Sequence, residues 1–402
     1  MTTTPPIQGV TDQRFAAVRD AFAHNFTAFP EVGAALAVTV DGAPVVDLWG
    51  GYLVPGHPAP WQRDTLVNLY STSKGIGALC AHVLVERGQL DLDAPVASYW
   101  PEFAQQGKDT IPVRWLLSHR AGLPAVESDL PREATYDWHT MTTALAAQKP
   151  WWEPGTAHGY HALTYSWLIG EVVKRVAGKS VGAFFRDEVA QPLALDAHIG
   201  LGPAFDSRIA DIIPAPPPSP GEFDRLAAVF EDSTSMPYKA FNNPPLSRRA
   251  ANTREWRAAE LVAANAHANA WSLARMYAAL ANGGALPASE EYPAVRLLSA
   301  ATIDAARAEQ SRGDDMVLHL ESRFGLGFML PAGMRYFSDN PRAFGHSGMG
   351  GSLAFADPEA RLSVAYVMNQ LLTGVDGGDR RWWGILSAIY EALGSTFTVP
   401  AA

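Results

Sequence analysis

The stretch "LVNLYSTSKGIGALCAHVLVERGQLDLD", Leu66 to Asp93, decides how the rest of the chain is read. Lys74 stands three positions after Ser71, inside a run of otherwise apolar and small residues. If a helix opens at Ser71, then Ile76, Leu79, Cys80, Val83 and Leu84 follow the stripe of a buried face. At 3.6 residues per turn, Ser71 and Lys74 share the other side, roughly 60° apart. That side continues with Ala78, Ala81 and Val85, so it is not a solvated face either. Burial disfavours the charged form of lysine. A neutral amine can take a proton from a neighbouring serine and make it a nucleophile. The start of a helix adds backbone N–H groups suited to an oxyanion. The four letters alone also fit a serine that caps the helix and a lysine that reaches out to water.

The composition narrows the classes. Of 402 residues, 48% are hydrophobic and 18% charged, enough to bury a large core. The net charge of −10 disfavours nucleic acid and anionic membrane as partners, since both reward clustered Lys and Arg. "MTTTPPIQGVTDQRF" lacks a secretory pattern, no segment reads as a membrane span, and Cys80 is the single cysteine. A cytoplasmic location is the expectation.

Working outward, "GAALAVTVDGAPVVDLWGGY" predicts two strands joined at Asp41-Gly42. Another strand, about Leu66 to Tyr70, leads into the opening stretch. The middle is helical in pattern, with "MTTALAAQ" and "LTYSWLIGEVVKRVAG", the latter closed by Gly178. From Pro203 to about Arg249, around "DIIPAPPPSPGEF", an extended surface segment is expected. "NAWSLARMYAALANGG" returns to helix, "GSLAFADPEARLSVAYVMNQ" reads as a hairpin, and a last helix starts near Arg381. Strands at both ends imply one sheet built from both termini. The expected fold class is α/β of the α+β type, an antiparallel sheet flanked by helices. Its α/β lobe covers 1–75 and 283–402, and a helical lobe covers 76–282 with the Pro-rich segment 203–249.

Two further stretches bear on Lys74. "PWWEPGTAHGYHALTYSWLIGEVV" puts Tyr160 between a Pro-Gly turn and a helix, and "FGHSGMGGSLAFADP" puts a Gly-rich turn on an inner strand. With "STSK", these resemble the three motifs of the serine β-lactamase and penicillin-binding protein superfamily, in the same order. "VLVERGQLDLDAPVASYWPEF", "IPVRWLLSHRAGLP", "ANGG" and "RFGLGFML" frame them in the same way, so the resemblance runs from about residue 30 to 395. It implies that Ser71 is the acyl-accepting nucleophile, that Lys74 is its base or base partner, and that Tyr160 shuttles the proton. A phenol with a pKa near 10 needs a neighbouring cation to act so, which makes Lys74 and Tyr160 a coupled pair. The resemblance also implies an oxyanion hole from the backbone N–H groups of Ser71 and Met349.

Two departures matter. His161-Ala162 follows Tyr160 where the superfamily's β-lactamases carry an asparagine, and His346-Ser347-Gly348 puts histidine where they carry lysine. Histidine's ordinary pKa leaves it mostly neutral at pH 7. Both changes remove recognition of a peptide-like carboxylate substrate, and the pattern is most similar to the family VIII carboxylesterases. This implies hydrolysis of short-chain esters, with His346, Ser347, Gly348 and His161 at the substrate and with no cofactor or metal. Acyl transfer, β-lactam or amide hydrolysis, and a non-catalytic binding role are the alternatives. The expected partner is a small-molecule ester, and the sequence does not specify the oligomeric state.

Several stretches imitate sites. "GKSVG", Gly178 to Gly182, has the letters of a nucleophile elbow, but it follows a helix rather than a strand, so Ser180 is expected to cap a helix. His158 and His161 make two metal-ligand types without a third. His119 reads as a turn residue and Cys80 as core. Some of Trp138, Trp151, Trp152 and Trp256 are candidates to wall an acyl pocket.

Overall fold

Six strands form one antiparallel sheet: β1 (Gln8–Thr11), β2 (Gly33–Val40), β3 (Ala43–Gly51), β4 (Phe344–Ser347), β5 (Leu353–Asp357) and β6 (Leu362–Met368). Their order is β1-β3-β2-β6-β5-β4, so the two chain ends meet where Leu36 pairs with Tyr366 and Ala37 with Ala365. The computed structural model describes residues 5–56, 59–216, 231–247, 249–332, 336–372 and 378–400. Asp41 and Gly42 adopt φ of 54° and 81°, the two positive angles that a two-residue hairpin of this twist requires. β2, β5 and β6 are buried on both faces and read as near-continuous apolar runs.

Two layers cover the sheet. Helices α1 (Ala16–Ala28) and α5 (Arg380–Ala392) pack together on one face, where Phe22 meets Tyr366 edge-on at 6.4 Å. Helix α4 (Ala270–Ala281) lies on the other, and Ser363 Oγ donates to Ala274 O at 2.8 Å. That helix was expected in the helical lobe up to residue 282. Its packing against β2, β5 and β6 instead makes it part of the sheet layer, because its buried stripe has the sheet as partner.

Helices α2 (Ser73–Glu86) and α3 (Tyr165–Ala177) pack on each other beyond that layer. α2 passes so close to the helix on the sheet that a Cβ at Gly75 would stand 2.1 Å from Tyr277 Oη. Gly178, at φ 69°, ends α3 in the left-handed conformation its sequence predicts.

The expected extended segment 203–249 holds more regular structure than its prolines suggested. Pro203–Arg208 is a short 3-10 turn, Ile209–Ala210 pairs in parallel with Leu66–Val67, and Met236–Asn242 is a helix. Pro203 and Pro237 sit in the opening turns, where a missing N–H has no consequence. The proline-dense part of that segment, residues 217–230, lies outside the described residues.

Candidate active site

The strand leading to the opening stretch ends at Asn68, and a 3-10 turn over Tyr70–Thr72 separates it from α2, which begins at Ser73. Ser71 therefore sits on a tight turn rather than in the helix that was expected to open there. The turn is fixed by Tyr70, whose φ of 45° is uncommon for a non-glycine residue, and by side chains from β5's approach. Ser352 Oγ donates to Leu69 O at 2.8 Å and bonds Thr72 Oγ1 at 2.9 Å, while Ser73 Oγ accepts from Ala266 N at 3.0 Å.

Lys74 is fully buried in the first turn of α2. Its Nζ lies 3.3 Å from Ser71 Oγ, 2.8 Å from Ala162 O and 3.1 Å from Ala263 O. A neutral amine has two N–H groups and one lone pair. With two carbonyls each taking an N–H, the remaining position of the amine is directed at the Ser71 hydroxyl. The Tyr160 ring lies over the same nitrogen, 4.6 Å to its centroid.

Tyr160 stands in a nest of rings: Phe324 is stacked at 6.0 Å, with His119 at 5.0 Å and His346 at 6.1 Å. Burial disfavours the charged form of two imidazoles nearby, His161 and His119. It pushes His161 down to about 3, which its bond to Gly159 O opposes and the charge of Lys74 assists. Burial likewise places His119 well below the ordinary imidazole range, with His161 and Lys74 adding to the effect.

His161 is buried, with its ring between two backbone segments. Its Nδ1 donates to Gly159 O at 2.7 Å and its Nε2 accepts from Leu123 N at 3.2 Å, so both ring nitrogens hold backbone. The substrate contact expected of it has no polar atom to make it. His119, at φ 61°, accepts from His161 N at 3.2 Å, the turn role expected of it. His158 bonds Ser322 Oγ at 2.8 Å, so the two histidines of the H-x-x-H pair serve different partners. His346 and Ser347 end β4, with His346 Nδ1 bonded to Ser347 O at 2.7 Å and Ser347 Oγ against the Met329 sulfur at 3.8 Å.

The β4–β5 turn runs alongside Ser71. A Cβ at Gly348 would stand 2.3 Å from Leu69 O and 3.2 Å from Ser71 N, so only glycine lets the strand pass. Gly348 N donates to Ser352 O at 2.8 Å, whereas no described backbone acceptor takes the N–H of Met349. The turn is pinned from behind by a cluster that the sequence did not disclose. Buried Arg381, in the first turn of α5, donates to Gly350 O and to Gln370 O, and pairs with Glu31 and Asp379. Trp382 Nε1 donates to Gly351 O at 2.8 Å.

Ser180 caps the short helix Val181–Phe185, accepting from Ala183 N and donating to Glu260 Oε1 at 2.8 Å, which removes the elbow reading. Cys80 is buried, and burial pushes its thiol up. Trp256 is tied to Asn68 Oδ1 at 2.8 Å and Trp138 to Glu171. Trp152 reaches the Tyr160 segment, within 2.8 Å of where a Cβ at Gly159 would be. Trp151 and Trp152 line a cavity of about 530 Å3, and Trp138 lines another of about 340 Å3. Neither cavity is lined by Ser71, Lys74 or Tyr160.

A model of the Beta-lactamase family matches residues 22–388. Over 373 residues the chain is 36% identical to the protein named Esterase/beta-lactamase LipL of Mycobacterium tuberculosis, across 91% of this chain and 83% of that one. The crystal structure of a family VIII carboxylesterase is similar with a TM-score of 0.87 and 41% identity, covering 96% of this chain and 100% of that one. A penicillin-binding protein homolog from Caulobacter crescentus gives 0.85 and 40%, with the same coverage. Because the match runs from Phe22 to Ala388, through sheet and helical part alike, the chain belongs to the β-lactamase family.

Proposed function

We propose that this protein is a serine carboxylesterase acting on small, neutral carboxylic esters through an acyl-enzyme on Ser71. The observation that carries the reading is the buried Lys74 amine, held by two carbonyls with its third position 3.3 Å from the Ser71 hydroxyl. Ser71 Oγ attacks the ester carbonyl and gives its proton to the Lys74–Tyr160 pair. The oxyanion rests between the backbone N–H groups of Ser71 and Met349. The proton then passes to the leaving alkoxide, the C–O bond breaks, and an alcohol departs. Water repeats the sequence on the acyl-enzyme and releases the acid.

The substrate class follows from what surrounds the serine. The imidazoles of His119 and His161 stay neutral, and the Arg381 guanidinium is turned toward Glu31, Asp379 and backbone carbonyls, so none of these three described residues presents a cation to a substrate carboxylate. Met349 and Met316, 54% and 46% exposed, offer apolar side chains on the segments that bracket Ser71 and Tyr160. The names of LipL and of the family VIII carboxylesterase agree with ester hydrolysis. A weaker β-lactam hydrolysis is the second reading, prompted by the double name of LipL.

The test is turnover of nitrophenyl acetate and butyrate, and of a chromogenic cephalosporin, by the parent and by Ser71→Ala. Ester turnover lost in Ser71→Ala is the expected result. Undiminished turnover in that variant overturns the proposal.

A further inference from the structure

We propose that Asp315 is a positioning residue for Tyr160: its carboxylate holds the Tyr160 backbone N–H and so sets the phenol ring over Lys74. The inference rests on the reading of Ser71, Lys74 and Tyr160 as the catalytic group.

Asp315 sits at the turn of the hairpin formed by strands Ser311–Asp314 and Glu321–Phe324. It is buried, and it lies 155 positions from the tyrosine it holds. Oδ1 accepts three N–H groups: Tyr160 at 3.0 Å, Val317 at 2.9 Å and Leu318 at 3.0 Å. Oδ2 accepts from Ser322 Oγ at 3.0 Å. Since the Ser322 hydroxyl spends its proton on Asp315, it accepts from His158 Nε2–H at 2.8 Å, which fixes that ring's tautomer. The path His158–Ser322–Asp315–Tyr160 therefore leaves the 158–160 segment at one residue and returns to it two residues later. Met316 N, donating to His158 O at 3.0 Å, closes the clamp with a backbone bond. Phe324, at the far end of the same hairpin, stacks on the Tyr160 ring.

Two of the Oδ1 bonds are local to the turn, and one reaches the tyrosine. That division separates a positioning role from a merely structural one. Asp315→Ser keeps a hydroxyl able to accept from N–H groups two and three residues on, as serine does in turns. Its shorter side chain does not reach Tyr160. Asp315→Asn keeps the carbonyl oxygen for all three N–H groups. Its NH2 donates to Ser322, whose hydroxyl then turns to His158 once the ring proton moves to Nδ1. Ser322→Ala cuts the second arm and leaves the hold on Tyr160 intact.

The experiment measures kcat and KM for nitrophenyl butyrate in these three variants and in Ser71→Ala, with folding checked by thermal unfolding. A misplaced proton handler lowers kcat without changing binding, so Asp315→Ser is expected to lose at least about 30-fold in kcat with KM within about threefold. Asp315→Asn is expected within about fivefold of the parent and Ser322→Ala within about threefold, because both keep the geometry that supports the effect. A folded Asp315→Ser with parental kcat, or an Asp315→Asn as inactive as Asp315→Ser, overturns the inference. Where Asp315→Ser fails to fold, a Ser322→Ala that loses kcat as heavily as Ser71→Ala overturns it instead. If Ser71→Ala itself retains turnover, the reading of the site fails, and the role given to Asp315 falls with it. Loss in Ser71→Ala beside a parental Asp315→Ser sinks the inference alone.

Discussion

The Lys74 amine is bonded at 2.8 Å to the carbonyl oxygen of Ala162, two residues beyond Tyr160, so the lysine is tied to the segment that carries its proposed partner. A second carbonyl, Ala263 O, comes from the strap whose Ala266 N–H is held by Ser73 Oγ. The position of the amine is thus set by three separate parts of the chain, and a replacement must satisfy all of them.

Lys74→Arg tests whether that amine must shed its proton. A guanidinium stays charged at any working pH and does not act as a base. Phosphonylation of Ser71 is expected to slow by at least about 100-fold, the usual contribution of a positioned base. Rates of labelling by a small fluorophosphonate check it, and a rate within a few-fold of the parent contradicts the role given to Lys74.

Gly348→Ala tests the passage of β4 beside the nucleophile. The new methyl would meet Leu69 O and Ser352 Oγ at 2.3 Å each, and neither the backbone nor the bonded hydroxyl has room to retreat. Overpacking of this kind typically costs about 1–3 kcal/mol and moves backbone. Here the backbone that moves carries Ser71 N, so kcat/KM is expected to fall further than stability. Parallel activity and denaturant titrations compare the two losses.

Arg381→Met breaks the cluster behind the Gly-rich turn. Glu31 and Asp379 lose their buried partner, and Gly350 O and Gln370 O lose a donor. Removing one side of a buried pair costs about 3–5 kcal/mol. Chemical denaturation is expected to show a loss of that order, accompanied by weaker esterase activity through the displaced Met349 N–H. A variant as stable as the parent would show that the cluster contributes no net stability.

The buried histidines make stability fall on the acid side. Burial holds His82 down to about 4 and His161 to about 3, while in the unfolded chain each titrates near 6.5. Between those values the unfolded state binds more protons, so stability declines as pH drops from about 6.5 toward 4. Glu31 and Asp47, raised by burial above their ordinary 4.5 and 3.8, work in the opposite sense over the pH range just above those values. The effect is isolated with His82→Gln, whose amide can still donate to Leu326 O, the bond His82 makes at 2.8 Å. Its urea midpoint is expected to fall less between pH 7 and pH 5 than the parent's, and an equal fall would exclude His82 as a source.

Ser180→Ala is the control for the misleading G-x-S-x-G. It removes a helix cap worth about 1 kcal/mol. Ester turnover is expected to stay at the parental level, and its loss would move the nucleophile to Ser180.

Much of this arrangement is legible in short range. Asp41-Gly42 carries its own turn geometry, Gly178 its own helix end, and Ser71 with Lys74 are close enough in the chain that almost any local helical backbone brings them together. What was missed depends on distance in sequence. Asp315 reaches Tyr160 across 155 positions and Arg381 reaches Glu31 across 350, and nothing near either residue marks it as bonded. His161 misled for the converse reason. Its place beside Tyr160 suggested contact with a substrate, but the sequence does not say that Gly159 O and Leu123 N occupy both ring nitrogens. The helix Ala270–Ala281 was given to the wrong layer because an apolar stripe shows that a face is buried but not what covers it.

The central claim is that Ser71, activated by Lys74, is the nucleophile. The most direct measurement is a peptide map by mass spectrometry after exposure to a small fluorophosphonate. A single adduct on Ser71, absent from Lys74→Ala under the same exposure, is the predicted result. An adduct on Ser180 or Ser347 in a protein that hydrolyses esters, with Ser71 unmodified, would contradict it.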